Sequence, residues 1–581
     1  MSTSTLASQP AVGGVSPSGL RADVIQWGVF AFTIFLVLAP LVPIMVQAFL
    51  DAPLYRASAH PTLGNFGKLL ANPDLPGVFV NTLIFAVLTT VLAQGIGAVL
   101  AILAGRTDMP GAKLLNGVML VPFIVSPLVL AFGWFLSYGP SGFVTLFVQS
   151  FTGDEPWNLS SIVGMSVVAA TTQAPIAFLY CLSAVAMIDP ALEDAARSCG
   201  SGSLRILTRV TLPLMVPSLV YGAILNFTAA LDSFSIPFIL GESSGIRMFM
   251  TSLYAVGLRS PTPDYGLIAM ASLFLLLVVA GLVFLQSRLL RNSRRYVTVG
   301  GKASRPKLFA LGGLRWPAFL VVAAYLLLFV VLPVGVLVLR AFTAFLSPLV
   351  PFWTLLTLDN FEAVFEADTF VRPILNTVLL ALVGGLAATG FVAMVAVVSH
   401  RSEFRLAKPL EYLAMVPRAV PGLIAGIGMF YATVFFPPLG WLSGTLFLLA
   451  FAYASQAIPK AYGAIAPALL QIGGDLDRAA RVIGSDWWTA TRRVVLPLLA
   501  PSLAASFSLL FIAFFKEYAI ALFLVTPGTE VIGTRLLQSW MQGEMGNVAA
   551  LATVQIALTL AFVGLLRVAG RAFTNKRTQA A

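Results

Sequence analysis

Long apolar runs separated by short polar stretches dominate this chain of 581 residues. Crossing the hydrocarbon core of a bilayer takes about 20 apolar residues of helix. In the first half, runs of that order lie near 25–50, 78–104, 114–137, 160–187, 213–240 and 266–289. In the second half they lie near 317–341, 374–399, 410–435, 441–469, 497–525 and 549–571. They are too long and too uniformly apolar for barrel strands, so the pattern predicts helices. The expected fold is an all-α integral membrane protein with twelve transmembrane helices.

The second half repeats the first. "NTLIFAVLTTVLAQGIGAVLAILAGRTDMPGAK" (Asn81–Lys113) aligns with "NTVLLALVGGLAATGFVAMVAVVSHRSEFRLAK" (Asn376–Lys408) at an offset of 295, with Arg106 on Arg401. The offset still holds at Pro122 and Pro417 and at Gly133 and Gly428. Further on it becomes 284. Such internal repetition is best read before individual helices. It predicts two tandem six-helix repeats sharing one orientation, related by a pseudo-twofold along the membrane normal. The expected organisation is a tail over 1–24, a first domain over 25–290, a linker over 291–316, a second domain over 317–572 and a tail over 573–581.

Composition agrees with a membrane protein. Only 10% of residues are charged, against about 25% in soluble domains, and mean hydropathy is +0.92. The net charge of +11 does not point to nucleic acid, because the basic residues cluster at the ends of apolar runs. An even number of spans puts both termini on one side. Placing that side in the cytoplasm leaves outside only Arg56, Lys68, Arg247, Arg259, Arg340, Arg372 and Arg535, with Arg418 and Lys516 in or at the edge of spans. That is a positive-inside bias. "RNSRRYVTVGGKASRPKLFALGGLR" (Arg291–Arg315), basic and without an acid, reads as a cytoplasmic linker. The polar N-terminus lacks the basic and apolar regions of a signal peptide. The expected location is the bacterial inner membrane, multi-pass. Cys181 and Cys199 make no disulfide framework, and His60 and His400, the only histidines, make no histidine-rich metal site.

Two polar, basic segments stand out. "LEDAARSCGSGSLRILTRVTLPLMVPSL" (Leu192–Leu219) and "LDRAARVIGSDWWTATRRVVLPLLAPSL" (Leu476–Leu503) match at 14 of 28 positions without a gap. In the first, Asp189-Pro190 offers an N-cap and a first-turn proline. Gly200 suits a left-handed C-terminal cap. Ser201 is expected to cap a second short helix carrying Arg205 and Arg209, and Pro213 to open the next span. Gly484, Ser485 and Pro497 hold the same places in the second copy. Each is a helix–turn–helix elbow between the fourth and fifth spans of its half. A plain reversal needs only a few residues, so something must dock on each elbow.

These elbows resemble the EAA loop of ABC importer permeases: Glu-Ala-Ala, three residues, Gly, nine residues, Ile, one residue, Leu-Pro. Asp194-Ala195-Ala196, Gly200, Val210 and Leu212-Pro213 fit that spacing within 189–213. Arg478-Ala479-Ala480, Gly484, Val494 and Leu496-Pro497 fit it within 473–497. The glutamate position holds Asp194 and Arg478; Glu193 and Asp477, one residue earlier, are candidates for the same contact. The twelve-span fused form resembles the permeases for ferric iron, thiamine and aminoethylphosphonate. "LDSFSIPFILGESSGIRMFMTSLYAVGLRSPTPDYGLIAMASL" and "KEYAIALFLVTPGTEVIGTRLLQSW" look most like the ferric-iron members.

The resemblance implies a permease subunit of a binding-protein-dependent importer. Its partners would be two copies of an ATPase subunit, a periplasmic solute-binding protein and the lipid bilayer, with no nucleic acid. The chain carries no Gly-x4-Gly-Lys-Ser/Thr loop, so it is expected to be no enzyme, with ATP and magnesium held by the partner ATPase and no cofactor of its own. Ferric iron is the expected solute, with thiamine, aminoethylphosphonate or polyamine as alternatives. A twelve-span secondary transporter is the alternative of another class: "GRTDMPGAK" (Gly105–Lys113) resembles a loop of major-facilitator carriers, but that reading leaves both elbows unexplained.

Charges at mid-bilayer cost roughly 2.5–3.5 kcal/mol each on insertion scales, so they face protein or water. Asp232 and Lys516 occupy equivalent positions of the two halves; Glu517, Asn226, Gln173 and Gln456 add polarity. Two readings of Asp232, Lys516, Glu517 and Asn226 stand open: glue between helices, including an Asp232–Lys516 pair, or the lining of a translocation path.

Overall fold

The computed structural model describes residues 17–56, 58–290 and 308–579. Most of the linker expected over 291–316 and part of each tail lie outside them. The described residues are helical, with no β-strand beyond isolated bridges. Ten helices are long and apolar enough to cross a membrane. An eleventh results if Ala407–Ala419 and Gly422–Val434, separated by Val420-Pro421, count as one span. The remaining expected span, 441–469, is the 26-residue helix Leu446–Gln471. It is long enough, but Ser455, Gln456, Pro459 and Lys460 interrupt its apolar run. By length and apolarity the described residues therefore hold ten spans, or eleven with the bent pair, and Leu446–Gln471 is a further helix of spanning length.

Several spans are broken where the sequence alone reads as one run. The third comes in three pieces, Ala112–Val118, Val121–Ile124 and Pro127–Tyr138. Ser126 is extended (ψ 139°), as a residue before proline prefers. The fifth and eleventh spans stop at Leu231 and Phe515, short of the expected 240 and 525. The chain turns there at Asp232 and at Lys516-Glu517, because ionic side chains need partners that a lipid-facing helix cannot give. Short helices Phe249–Tyr254 and Ile532–Met541 then precede the last span of each half.

The chain forms two compact units that do not follow the sequence halves. One contains the described residues up to Ala39, Leu382–Arg418 and Ala454–Phe511. In it Trp27 packs edge-on to Phe404 and Phe32 to Phe391. The other contains Pro40–Ala381, Ala419–Tyr453 and Ile512 onward. Its core joins Leu100, Ala101, Phe178, Cys181, Met215 and Leu326. Helices Leu75–Arg106 and Ile162–Met187 approach closely because Gly97 lacks a side chain: a Cβ there would lie 2.5 Å from that of Ala177. Gly133 and Gly428 serve the same end. A Cβ on Gly133 would meet the Pro333 carbonyl at 2.5 Å, and one on Gly428 would strike that of Pro40.

Both repeats make the same hydrogen bonds in this unit. Asn65 Nδ2 donates to the carbonyls of Ala48 and Leu50, and Asn360 Nδ2 to those of Ala341 and Thr343. The Thr82 hydroxyl accepts from Phe249 N, and that of Thr377 from Ile532 N, each at 2.9 Å. Thr82 and Thr377 are the threonines of the repeated Asn-Thr pairs, so the repeat in sequence is a repeat in bonding.

Candidate functional site

The first elbow begins where Asp189 accepts a hydrogen bond from Ala191 N at 2.9 Å and starts helix Pro190–Ser198. The helix ends at Gly200, whose φ is +79°. Gly200 N donates to Arg197 O at 2.9 Å and Ser201 N to Ala196 O at 3.0 Å. This is a Schellman cap, which satisfies two carbonyls that the helix end leaves orphaned. The second elbow is built alike from helix Asp475–Val482. Gly484 has φ +92°, and Gly484 N and Ser485 N donate to Arg481 O and Ala480 O, each at 3.0 Å.

Beyond the glycine turn the chain departs from the sequence expectation. Ser201 does not cap the next helix. Gly202, without a side chain, takes that place, because the backbone of Ser201 is spent in the Schellman turn. The helix that starts at Ser203 runs on to Leu231 through a π-helical stretch, Leu207–Thr211. Pro213 therefore lies within continuous helix. It has no N–H to donate, and the wider register just before it accommodates the loss. In the second repeat the same course runs from Trp487 to Phe515 through Thr491–Val495. Each elbow is a short helix, a glycine turn and the extended foot of a membrane span.

The acidic neighbours on the first elbow differ in surroundings. Asp194 is half-exposed and pairs with Arg197 at 2.7 Å, while that guanidinium lies over the Phe309 ring. Glu193 is fully buried. Its Oε1 accepts from the Thr211 hydroxyl at 3.0 Å and lies 3.7 Å from Arg106 Nε. Arg106, also fully buried, donates from Nη2 to Ile188 O at 3.0 Å. On the second elbow Asp477 is buried likewise, and its Oδ1 accepts from Arg401 Nη1 at 3.1 Å. Arg401 Nη2 donates to the carbonyls of Leu469 and Ile472. Glu193 and Asp477 thus point into the protein. Ala195, Gly200, Pro213, Ala479, Gly484 and Pro497 are exposed, and Ala196 and Ala480 partly so. Large apolar side chains stand out among them: Leu204 is 75% exposed, Val482 86% and Ile483 84%.

Arg106 and Arg401 are visible in the sequence as a repeated pair, but the sequence alone gives them no role. The usable signal is their position: both close a long apolar helix, where cations suit the carbonyl end.

Two ionic groups inside the spans each reach a backbone group. Asp232 Oδ1 accepts from Gly422 N at 3.2 Å, at the start of helix Gly422–Phe435. Lys516 Nζ donates to Phe123 O at 2.8 Å, at the end of Val121–Ile124, and lies over the Phe123 ring. A negative group thus meets a helix N-terminus and a positive one a helix C-terminus, as the peptide dipoles favour. Both partners flank breaks in the third span of a repeat. Glu517 Oε1 accepts from Ile520 N at 3.2 Å. Asn226 is buried, its Nδ2 3.5 Å from Gln94 Oε1.

The chain belongs to the family described as binding-protein-dependent transport system inner membrane component, which matches residues 95–295 and again 391–579. The double match makes it a fused two-domain permease of the ABC importer class. A ferric transport system permease protein FbpB from Actinobacillus pleuropneumoniae is 25% identical over 540 residues, covering 91% of this chain and 75% of that one. A probable ABC transporter permease, y4fN of Sinorhizobium fredii, is 26% identical over 552 residues and 93% of each chain. Among solved structures, a bacterial ABC transporter involved in alginate import covers 48% of this chain and 99% of its own, at 21% identity and TM-score 0.40.

Proposed function

We propose that this permease moves ferric iron, delivered by a periplasmic binding protein, inward across the bacterial inner membrane, and that each elbow docks one copy of a separate ATPase. ATP and magnesium belong to that ATPase. Both termini and both elbows lie in the cytoplasm, in line with the distribution of Lys and Arg. The observation that carries the docking is the twice-built elbow: a glycine-turned projection that exposes Leu204, Val482 and Ile483 among polar residues. Apolar surface in that setting marks an interaction site. Asp194, Ala195, Ala196 and Gly200, with Ala479, Ala480 and Gly484, form its docking crest; Pro213 and Pro497 lie in the helices that carry the crest into the membrane. The choice of ferric iron is supported by the Actinobacillus relative named as a ferric transport system permease. Asp232, Lys516 and Glu517 are assigned to the path, at the broken ends of spans. Asn226 is assigned to the packing behind it.

The test is native mass spectrometry of the chain co-expressed with its ATPase and binding protein. A complex of one permease with two ATPases is expected. A permease recovered alone, or with one ATPase at saturation, would refute two-elbow docking. Uptake of iron-loaded but not thiamine-loaded binding protein tests the solute.

A further inference from the structure

Behind each elbow lies a buried acid–arginine pair. We propose that Glu193 and Asp477 are positioning residues: through Arg106 and Arg401 they tie each elbow to the end of the second span of its own repeat, so that a displaced elbow drags that span with it. This rests on the docking proposed above.

The connections are specific. In the first repeat the Glu193 carboxylate receives Thr211, from the foot of the fifth span, and faces Arg106, the last residue of the second span. Arg106 in turn holds Ile188 O, at the end of the fourth span. One ion pair therefore gathers the ends of three spans onto the elbow helix. The second repeat reaches the same result with different side chains. Asp477, one methylene shorter, meets Arg401 at the end of helix Gly385–Arg401. Arg401 holds the Leu469 and Ile472 carbonyls at the end of Leu446–Gln471. The place of Thr211 is taken by Val495, which has no hydroxyl. The link to the helix entering the fifth span of that repeat is made instead by Trp487 Nε1, which donates to Arg401 O at 2.9 Å. Arg481 Nη2 donates to the same carbonyl at 3.2 Å.

Stability is a poor reason for such pairs. Desolvating two charges offsets most of their attraction, and apolar replacements are often neutral or better. In the second repeat the Arg401 fork supplies fixed direction, since its donors bind only in one planar arrangement; in the first, Arg106 donates to Ile188 O and holds Glu193 beside it by charge at 3.7 Å. An elbow tethered this way cannot tilt without moving the second span. The helix continuous with the fifth span moves as well. A docking stroke would then reach two helices of each repeat together.

The experiment uses the assembled transporter in liposomes and measures solute moved per ATP hydrolysed, thermal unfolding, and recovery of the ATPase with the chain. The variants are Arg106→Met with Glu193→Leu, which replaces the charges by a packed apolar pair, and Thr211→Val, which removes one hydroxyl. The double variant is expected to unfold at the wild-type temperature and to retain the ATPase. It should move at least about fivefold less solute per ATP, the lower end of typical coupling energies. Thr211→Val should show a smaller drop in the same direction. An unchanged ratio in the double variant would overturn the proposal. So would losses of ratio that merely track losses of thermal stability in both variants. Loss of the ATPase from the double variant alone would overturn it too, since the pair would then serve docking. Failure of the wild-type chain to hold an ATPase would refute the docking reading instead.

Discussion

The turn at Gly200 can be tested through backbone conformation alone. Its φ is +79° and that of Gly484 +92°, yet no heavy atom lies within 4 Å of where a Cβ would stand at either. A substituted side chain meets no clash, so its cost is conformational. Holding a left-handed backbone costs an ordinary residue about 1–2 kcal/mol, and a β-branched one fares worst there. The alternative is to swing φ negative and give up the Schellman bonds of Gly200 N and Ser201 N, each worth about 1 kcal/mol net. The two routes cost about the same, so Gly200→Val should destabilise the docking-competent elbow by about 2 kcal/mol. With the two routes equal in cost, about half of the variant molecules hold the docking-competent turn, so affinity for the ATPase falls about twofold. Asparagine tolerates the left-handed region, so Gly200→Asn should lose much less. Titrating purified ATPase onto the detergent-solubilised variants measures both. Wild-type affinity in Gly200→Val would refute the reasoning. Equal damage from Asn and Val would also refute it, by showing that the partner needs bare backbone at that point rather than a particular φ.

Gly133→Ala and Gly428→Ala should each lower thermal stability by about 1–3 kcal/mol, because the added methyl meets the carbonyl of Pro333 or of Pro40; unchanged unfolding temperatures would contradict that packing. Asp232 and Lys516 each hold a different backbone group, so exchanging them (Asp232→Lys with Lys516→Asp) should not restore the uptake that either single change abolishes; restoration would show that they act on each other. Asp194→Ala removes an exposed pair within one helix turn, worth about 0.3–0.5 kcal/mol, and should leave unfolding unchanged while weakening ATPase binding; a loss of stability instead would remove Asp194 from the docking crest.

The repeat, the elbows and their glycine turns are legible in the sequence because each leaves a chemical mark at a fixed spacing. A positive φ calls for glycine, and the repeat shows that glycine twice, at 200 and 484. The breaks in the spans are less legible. Hydropathy averages over Pro122, Pro127, Asp232 and Lys516, whereas the backbone must respond to each. The orientation of Glu193 and Asp194 is not legible at all. Adjacent residues on a helix point about 100° apart, and only the packing of the elbow decides which faces inward. Arg106 and Arg401 show their importance as a repeated pair, but their partners lie 87 and 76 positions away, beyond what spacing conveys. The continuous helix through Pro213 escapes for a local reason: proline after a polar stretch reads as a helix start, and the preceding π-helical register that absorbs it has no sequence signature.

If this chain is a permease worked by a separate ATPase, transport must fail without that ATPase. The decisive measurement is uptake of iron into liposomes containing the purified chain, with ATPase, internal ATP and iron-loaded binding protein each omitted in turn. Uptake is expected only when all three are present, and none should be driven by an ion gradient. Uptake by the chain alone, driven by a proton or sodium gradient, would show instead that the chain is a secondary transporter.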